Sequence, residues 1–93
     1  MRAEMYNISF WVSETNPEKL QLLLNRGLKK SGFNVLKFID YHFEPFGFTG
    51  LWLLSESHLA VHTFPEENRT YIELSSCVAA PYYSFLKYIN KAI

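Results

Sequence analysis

Three residues in the second half of the chain carry side chains that can serve as nucleophile, base or acid: Ser57, His62 and Cys77. Ser57 belongs to a polar segment, Ser55-Glu56-Ser57-His58, whose side chains suit a tight turn because they hydrogen-bond nearby backbone. A serine held at a tight turn, with a histidine five residues further on, is a candidate reactive serine, although an ordinary hairpin turn is the simpler interpretation. Taken singly, Cys77 is better explained as a small buried hydrophobe and His62 as a hydrogen-bonded histidine of a sheet.

The two histidines His58 and His62 have a spacing that occurs in zinc sites. Four residues apart on a helix, two imidazoles lie on the same side and can share a metal ion. On a strand the same spacing separates them by about 13 Å, which is too far. The apolar flanks and Pro65 favour a strand, so the sequence predicts no metal site.

Hydrophobic periodicity predicts the elements that must position these residues. Five strands and two helices are expected in the order β-α-β-β-β-β-α, with strands at residues 5–12, 33–43 and 70–77 and a hairpin at residues 49–64. Asn16 caps the first helix and Gly32 ends it, Pro81 opens the second helix, and residues 46–48 are predicted to form a loop. Both faces of the second strand look partly buried. Consecutive strands with the helices set apart indicate an α+β fold, a two-layer sandwich in which both helices cover one face of an antiparallel sheet.

The period of two along a strand divides the side chains of the last two strands between two faces. In the fourth strand, the apolar set that contains Leu59 alternates with the set that contains His62. In the fifth strand, the set that contains Ile72 alternates with the set that contains Cys77. If the apolar sets face the helices, His62 and Cys77 both emerge on the open face of the sheet, which becomes a candidate site and interface.

Composition narrows the classes of function. The 93 residues are predicted to form a single domain, 1–93, and nine basic and nine acidic side chains give a net charge of zero, which argues against charge-driven binding to nucleic acid or membranes. The hydrophobic share of 48% and the aromatic share of 17% exceed what a small core hides, so we expect a homo-oligomer. A single cysteine, the lack of an apolar segment of about 20 residues and the lack of a visible signal peptide predict a cytoplasmic protein.

One continuous motif carries a resemblance to a known family: Glu56-Ser57-His58-Leu59-Ala60-Val61-His62-Thr63-Phe64-Pro65-Glu66. Phe43-Glu44-Pro45 and Gly47-Phe48-Thr49-Gly50 support it upstream, and Ser76-Cys77 supports it downstream. With these motifs, nearly the whole chain resembles the prokaryotic-type, pyruvoyl-dependent S-adenosylmethionine decarboxylases, as a short member of that family. A serine, a histidine and a cysteine in this order and context are far more specific than any pair of them.

The resemblance implies that the chain cuts itself between Glu56 and Ser57. In the family, the serine attacks the preceding carbonyl to form an ester, which then eliminates and leaves a pyruvoyl group made from the serine. The pyruvoyl group forms a Schiff base with the substrate and supports the loss of CO2, so neither a metal nor pyridoxal phosphate is expected. The implied activity converts S-adenosylmethionine to decarboxylated S-adenosylmethionine, an aminopropyl donor for spermidine synthesis.

The resemblance also implies roles for six further side chains, three in chemistry and three in substrate binding. His62 matches the processing base, Thr49 a hydroxyl residue that assists processing, and Cys77 the general acid of decarboxylation. Phe43 matches an aromatic ring that stacks on adenine, Glu66 a carboxylate that binds the ribose hydroxyls, and Phe64 a position where selectivity could change. Family members of this length are homodimers with sites at the subunit interface, which is the expectation here too.

The chain departs from the family pattern in several places. Phe64 replaces the usual tryptophan, Glu73 replaces an aspartate, and Val78 replaces the glycine that usually follows Cys77. Typical relatives also continue for further strands after the second helix, and fewer strands could weaken a dimer or expose a sheet edge.

Two other functions are compatible with the sequence. One is a pyruvoyl-dependent decarboxylase that acts on arginine or ornithine. The other is an unprocessed, non-catalytic homologue that binds a nucleoside-like ligand or a partner subunit. A protein that binds a substrate analogue carrying adenosine, but not the amino acid alone, would be an S-adenosylmethionine decarboxylase and not the first of these alternatives.

Overall fold

Residues 3–92, the part of the chain that the computed structural model describes, fold into five strands and two helices. The strands are β1 (Tyr6–Val12), β2 (Val35–His42), β3 (Phe48–Leu54), β4 (Ser57–Phe64) and β5 (Arg69–Ser76), and a short 3₁₀ helix (Pro65–Glu67) joins the last two. They form one antiparallel sheet in the order β1-β5-β4-β3-β2. Helices α1 (Pro17–Ser31) and α2 (Ala79–Ala92) pack on one face, which confirms the predicted α+β sandwich.

The first helix begins and ends where its local sequence predicts. Asn16 Oδ1 accepts a hydrogen bond from the Lys19 amide at 3.0 Å, and Pro17 occupies a position that needs no amide donor. At the other end Gly32 adopts a left-handed conformation with a φ of 90°, and its amide donates to the Lys29 carbonyl at 3.2 Å. Both signals are local, which is why sequence alone locates this helix.

The second helix begins at Ala79, two residues before Pro81, so the prediction that Pro81 opens it is wrong. A proline in the first turn of a helix lacks only an amide that has no helical partner there, and the helix therefore tolerates it. Tyr82, Phe85 and Ile89 are buried along one side, as predicted. The fifth apolar position predicted for this side, Ile93, lies outside the described residues.

The core lies between the helices and the sheet. Leu59 and Val61 of β4 and Ile72 and Leu74 of β5 are fully buried and pack against apolar side chains of both helices. The alternate residues of the same strands, His62 among them, lie on the opposite, open face, and all except the buried Ser75 are at least partly accessible. The predicted division into a core face and an open face is therefore confirmed for residues within β4 and β5, whereas Cys77, predicted on the open face of the fifth strand, lies beyond the end of β5.

Strand β2 lies at an edge of the sheet and is largely exposed, so the prediction that both of its faces are partly buried is wrong. Its aromatic and branched composition suggested burial, but an edge strand has a neighbour on one side only, and Phe38 is the residue of β2 that packs against the core. Phe48, predicted in a loop, is the buried first residue of β3. Within residues 3–92, neither helix has the length and hydrophobicity needed to cross a membrane.

Candidate functional site

The two-residue turn Ser55-Glu56 joins β3 to β4 and contains a strained residue. Leu54 pairs with Ser57 across it, so the loop is the short kind found in tight hairpins. Glu56 has a φ of 60°, in the left-handed region, where a residue with a Cβ costs about 1–2 kcal/mol. The peptide bond that follows, between Glu56 and Ser57, is the predicted cleavage site, so the strain directly adjoins it.

Cys77 lies just after β5 and contacts Glu56 through three hydrogen bonds. Its backbone amide donates to the Glu56 carbonyl oxygen at 3.3 Å, and the single proton of its thiol is shared between the same oxygen at 3.2 Å and Glu56 Oε2 at 3.3 Å. The hydrogen bond to the carboxylate, together with partial burial and the negative charge of Glu56, raises the pKa of the Cys77 thiol. The thiol therefore keeps its proton to higher pH than an ordinary cysteine, as a proton donor must.

Ser57 is the first residue of β4, and its side chain lies on the helix side of the sheet. It is 8% exposed, and its hydroxyl donates to Ser76 Oγ at 2.7 Å. The two serines are direct partners in the pairing of β4 with β5, and Ser76 Oγ also accepts from the Val78 amide at 3.0 Å. Sequence reasoning gave Ser76 no role, because only the pairing register, which is not local in sequence, brings it to Ser57.

A second group of predicted residues surrounds His62 on the open face. Thr49 Oγ1 and His62 Nδ1 are hydrogen-bonded at 2.9 Å, since the two residues are direct partners on β3 and β4. Both line a cavity of about 330 Å³, to which the three predicted substrate-binding residues also contribute: Phe43, Phe64 and Glu66. Two aromatic rings and a carboxylate around a cavity of this size can hold a small organic ligand.

The two groups lie at opposite ends of β4, and the side chains of Ser57 and His62 lie on opposite faces of the sheet. Ser57 and His62 are five residues apart, an odd number that directs their side chains to opposite faces. Strand geometry separates them by roughly 16 Å. The structure therefore brings Glu56, Ser57 and Cys77 together, and separately Thr49 and His62, but it does not join the two groups within one chain.

An apolar surface lies between the two groups on the open face. Ile39, Leu51 and Leu53 are 58%, 41% and 53% exposed, and they line a shallow cavity of about 440 Å³ with Lys37 and His58. Contiguous apolar side chains of this kind on a small protein mark a contact surface for another molecule. A second copy of the chain, as predicted from composition, would cover it.

The histidine pair with zinc-like spacing lies on one strand. His58 and His62 both belong to β4, where four residues of extended chain separate them by about 13 Å. In the span from residue 3 to residue 92, no three His, Cys, Asp or Glu side chains come close enough together to hold a metal ion.

Known proteins match this chain over much of its length. A model of the family described as S-adenosylmethionine decarboxylase matches residues 2–93. The S-adenosylmethionine decarboxylase proenzyme of Prochlorococcus marinus (strain MIT 9313) is 40% identical over 58 residues, which cover 62% of this chain and 46% of the relative. The proenzyme of Syntrophomonas wolfei is 32% identical over 75 residues, which cover 81% of this chain and 59% of the relative. The chain thus spans about half the length of these curated relatives.

A solved structure shares the fold. The crystal structure of the adenosylmethionine decarboxylase from Aquifex aeolicus VF5 superimposes with a TM-score of 0.77 and covers 98% of this chain and 81% of that chain. The sequence identity is 22%, so this likeness establishes the arrangement of strands and helices and not the chemistry.

Proposed function

Because the chain belongs to the S-adenosylmethionine decarboxylase family, we propose that it is a self-processing, pyruvoyl-dependent enzyme that decarboxylates S-adenosylmethionine. The observation that carries the proposal is the strained Glu56–Ser57 junction, where the amide and the thiol of Cys77 both donate to the Glu56 carbonyl oxygen. The curated relatives carry the name proenzyme, which is consistent with a chain that is cut after synthesis.

In the proposed cleavage, the Ser57 hydroxyl attacks the Glu56 carbonyl carbon, and its proton passes to the departing Ser57 nitrogen. The acyl group thereby moves from nitrogen to oxygen and forms an ester. A base then removes the Ser57 Cα proton, the bond between Cβ and the ester oxygen breaks, and residues 1–56 leave as a carboxylate. The elimination leaves an enamine, which takes up a proton at Cβ and becomes an imine. Water then adds to the imine carbon, ammonia leaves, and a pyruvoyl group remains at position 57.

Two features of the turn favour the first step. The left-handed conformation of Glu56 raises the free energy of the uncut chain by about 1–2 kcal/mol. The two donors of Cys77, at 3.3 and 3.2 Å, lie where negative charge develops on the Glu56 carbonyl oxygen, as in an oxyanion hole. The Ser57 hydroxyl has to turn away from Ser76 before it attacks, so Ser76 holds it in the resting state.

The proposed base for Ser57 is His62 of a second copy of the chain. Within one chain, the sheet and roughly 16 Å separate these two side chains. The apolar surface around Leu51 and Leu53 lies between the two groups, so packing two open faces together would bury it. The same packing would bring Thr49 and His62 of one chain toward the Glu56–Ser57 turn of the other, in a homodimer with shared sites.

The proposed substrate site combines the cut turn of one chain with the cavity beside His62 of the other chain. When formed, the pyruvoyl group supplies a ketone that accepts the substrate amine and withdraws electrons as CO2 leaves. Cys77 returns a proton to the substrate carbon, which its raised thiol pKa favours. Phe43 and Phe64 contact the adenine, Glu66 accepts hydrogen bonds from the ribose, and the product serves spermidine synthesis in the cytoplasm.

The intact mass of the purified protein under denaturing conditions tests this function. We expect two species, residues 1–56 and a second fragment that is lighter than the hydrolysis product of residues 57–93 by one ammonia. Ser57→Ala is the matched control and has to remain one chain. A parent protein that stays whole after long incubation would contradict the proposal and favour the non-catalytic homologue.

A second measurement identifies the substrate of the cut protein. Release of CO2 is compared for S-adenosylmethionine, arginine and ornithine at equal concentrations, with Glu66→Gln as the control for the ribose contact. We expect turnover of S-adenosylmethionine alone, and a raised KM in Glu66→Gln. Turnover of arginine or ornithine that Glu66→Gln leaves unchanged would assign the enzyme to those amino acids instead.

A further inference from the structure

We propose that Tyr71 is a positioning residue that fixes the orientation of the His62 imidazole, with Trp11 bracing Tyr71 in that role. This rests on the proposed function, in which His62 is the processing base. Neither Tyr71 nor Trp11 belongs to any of the sequence motifs that carry the family resemblance.

A row of five side chains, one from each strand, crosses the open face: Tyr41, Thr49, His62, Tyr71 and Trp11. Each residue is the direct register partner of the next. Direct partners have Cβ atoms about 4.5–5.5 Å apart, close enough for each side chain to restrict the next. His62 occupies the middle of this row, between a hydroxyl group and an aromatic ring.

His62 is held from both sides. Thr49 Oγ1 lies 2.9 Å from His62 Nδ1, and in the tautomer in which Nδ1 donates to this oxygen, Nε2 is the nitrogen that can take a proton from Ser57 of the second copy. On the other side, the Tyr71 ring stacks on the imidazole with centroids 6.3 Å apart and planes 22° apart. A half turn of the imidazole about its bond to Cβ would put Cδ2 in the place of Nδ1, so it would break the hydrogen bond to Thr49 and leave the tautomer unfixed. The nearly parallel Tyr71 ring, which comes from the register partner of His62 on β5, limits the space in which the imidazole can turn.

Tyr71 is itself restrained at its hydroxyl and at its ring. The hydroxyl donates to Glu73 Oε1 at 2.6 Å, and the ring of Trp11 lies 5.3 Å away. The Arg69 guanidinium lies over the Trp11 ring at 3.9 Å, and Arg69 is paired with Glu67 at 2.9 Å. The series of contacts that begins at His62 thus ends in the ion pair of Arg69 and Glu67.

Trp11 also connects the row to the substrate cavity. Its ring lies 5.9 Å from the ring of Phe64, which lines the cavity beside His62. At the other end of the row, Tyr41 lies 4.7 Å from Phe43, the second aromatic wall. Since exposed aromatic side chains can also serve only to pack two chains together, the test has to observe the His62 ring directly.

Nitrogen NMR of the imidazole in the uncut Ser57→Ala chain reports the tautomer of His62 without requiring activity. His62→Gln identifies its signals among those of the three histidines. We expect His62 to show one tautomer in Ser57→Ala, and to keep it when Tyr71→Phe, which retains the ring, is added. When Tyr71→Ala is added instead, we expect His62 to exchange between two tautomers. Trp11→Ala should give a smaller change of the same kind. Tyr83→Ala, which removes an exposed aromatic side chain of α2, is the control and should give no change. A His62 spectrum that Tyr71→Ala leaves unchanged would overturn the proposal.

The same substitutions in the chain with Ser57 intact test the consequence for cleavage. We expect Tyr71→Ala to slow the appearance of two fragments by roughly tenfold or more, and Tyr71→Phe to restore the parent rate. An unchanged circular dichroism spectrum and elution volume would show that fold and assembly survive in Tyr71→Ala. Equal rates for Tyr71→Ala and the parent would contradict the positioning role. If the parent itself never cuts, the proposed function fails, while the tautomer comparison still decides whether Tyr71 positions His62.

Discussion

Cys77 and Glu56 are coupled by hydrogen bonding and by charge. The Glu56 carboxylate accepts the thiol's hydrogen bond and repels a thiolate, so it raises the pKa of the Cys77 thiol. Glu56→Gln removes the charge, and the thiol should then lose its proton at lower pH. We expect the rate of thiol alkylation in the uncut Ser57→Ala chain to rise at a lower pH when Glu56→Gln is added.

Because Cys77 is the single cysteine, alkylation reports on this thiol alone. Glu18→Gln, which removes an exposed carboxylate in the first turn of α1, is the matched control and should leave the titration in place. A titration midpoint that is the same with Glu56→Gln and without it would show that the carboxylate does not tune the thiol. Cys77 would then need another reason to remain protonated as an acid.

The residues of the candidate site could be predicted from the sequence, but their contacts could not. The order of Ser57, His62 and Cys77 within a distinctive motif pointed to all three. The hydrogen bond from Ser57 to Ser76 and the three bonds from Cys77 to Glu56 depend on how β4 and β5 pair. Register is set by the whole sheet, so no local pattern contains these contacts.

The hairpin turn allows backbone strain to be separated from side-chain charge. Glu56→Gly relieves the strain of the left-handed conformation. Glycine also makes the unfolded chain more flexible, which offsets part of this gain. The free energy of unfolding of the uncut Ser57→Ala chain should therefore rise by up to about 1 kcal/mol. In the chain with Ser57 intact, the same change should slow cleavage, because the uncut state no longer stores strain beside the scissile bond. Urea denaturation and the rate of fragment formation measure the two effects.

Two substitutions serve as controls for the turn. Glu56→Gln keeps the strained backbone and removes only the charge, so it isolates the contribution of the carboxylate. Asn68→Gly relieves the other left-handed non-glycine residue among residues 3–92, with a φ of 55°, in the loop between β4 and β5. It should not change the rate of cleavage. If Glu56→Gly cuts as fast as Glu56→Gln, strain at the turn does not contribute to processing.

The two helices touch at a glycine. A Cβ at Gly27 would lie 2.7 Å from the Tyr88 ring and 3.0 Å from Phe85, and the Tyr88 hydroxyl donates to the Leu23 carbonyl at 3.1 Å, so the ring cannot easily move. Overpacking costs about 1–3 kcal/mol, whereas alanine gains about 1 kcal/mol in helix propensity. We therefore expect Gly27→Ala to lower the free energy of unfolding by about 1 kcal/mol in urea denaturation.

The neighbouring Arg26→Ala is the control, because this exposed side chain of the same helix lies away from the contact. Adding Tyr88→Ala should remove the extra cost of Gly27→Ala, since the methyl group then has room. Equal costs of Gly27→Ala with and without Tyr88 would contradict the close packing of α1 on α2.

Local sequence signals predicted where α1 begins and ends, but they did not predict where each strand lies within the sheet. Asn16 and Gly32 located α1 because capping involves only a few neighbouring residues. The exposure of β2 followed from its place at the sheet edge, which depends on the order of all five strands among residues 3–92. The alternation in β4 and β5 was predictable since both strands have one apolar and one mixed face.

The whole molecule concentrates its excess apolar material on one side. Large apolar side chains from four strands are exposed on the open face: Trp11, Ile39, Tyr41, Leu51, Leu53 and Phe64. The composition predicted that one small core could not hide all of them. The structure locates the remainder between and around the two groups of site residues, one at Glu56 and Ser57 and the other at Thr49 and His62. In the proposed homodimer, burying this face would also bring the two groups of site residues together.

The separation of Ser57 and His62 within one chain predicts complementation between two inactive variants. His62→Gln keeps an intact turn, and Ser57→Ala keeps an intact base, so each should remain uncut when made alone. Co-expressed with different tags and purified through both tags, they form mixed dimers in which His62 of the Ser57→Ala chain meets the turn of the His62→Gln chain. We expect intact mass measurements to show the His62→Gln chain cut and the Ser57→Ala chain whole.

Shared sites also require that cleavage depend on assembly. Leu51→Lys with Leu53→Lys adds two charges to the apolar surface, and burying an unpaired charge is costly enough to disfavour the dimer. Sedimentation should show monomers when both co-expressed chains carry these changes, and cutting should stop with dimerisation. Mixed dimers that form but stay uncut would remove His62 from its proposed role as a base acting across the interface. Fragments from monomers would instead mean that each chain cuts itself, and the roughly 16 Å between Ser57 and His62 would then call for a different base.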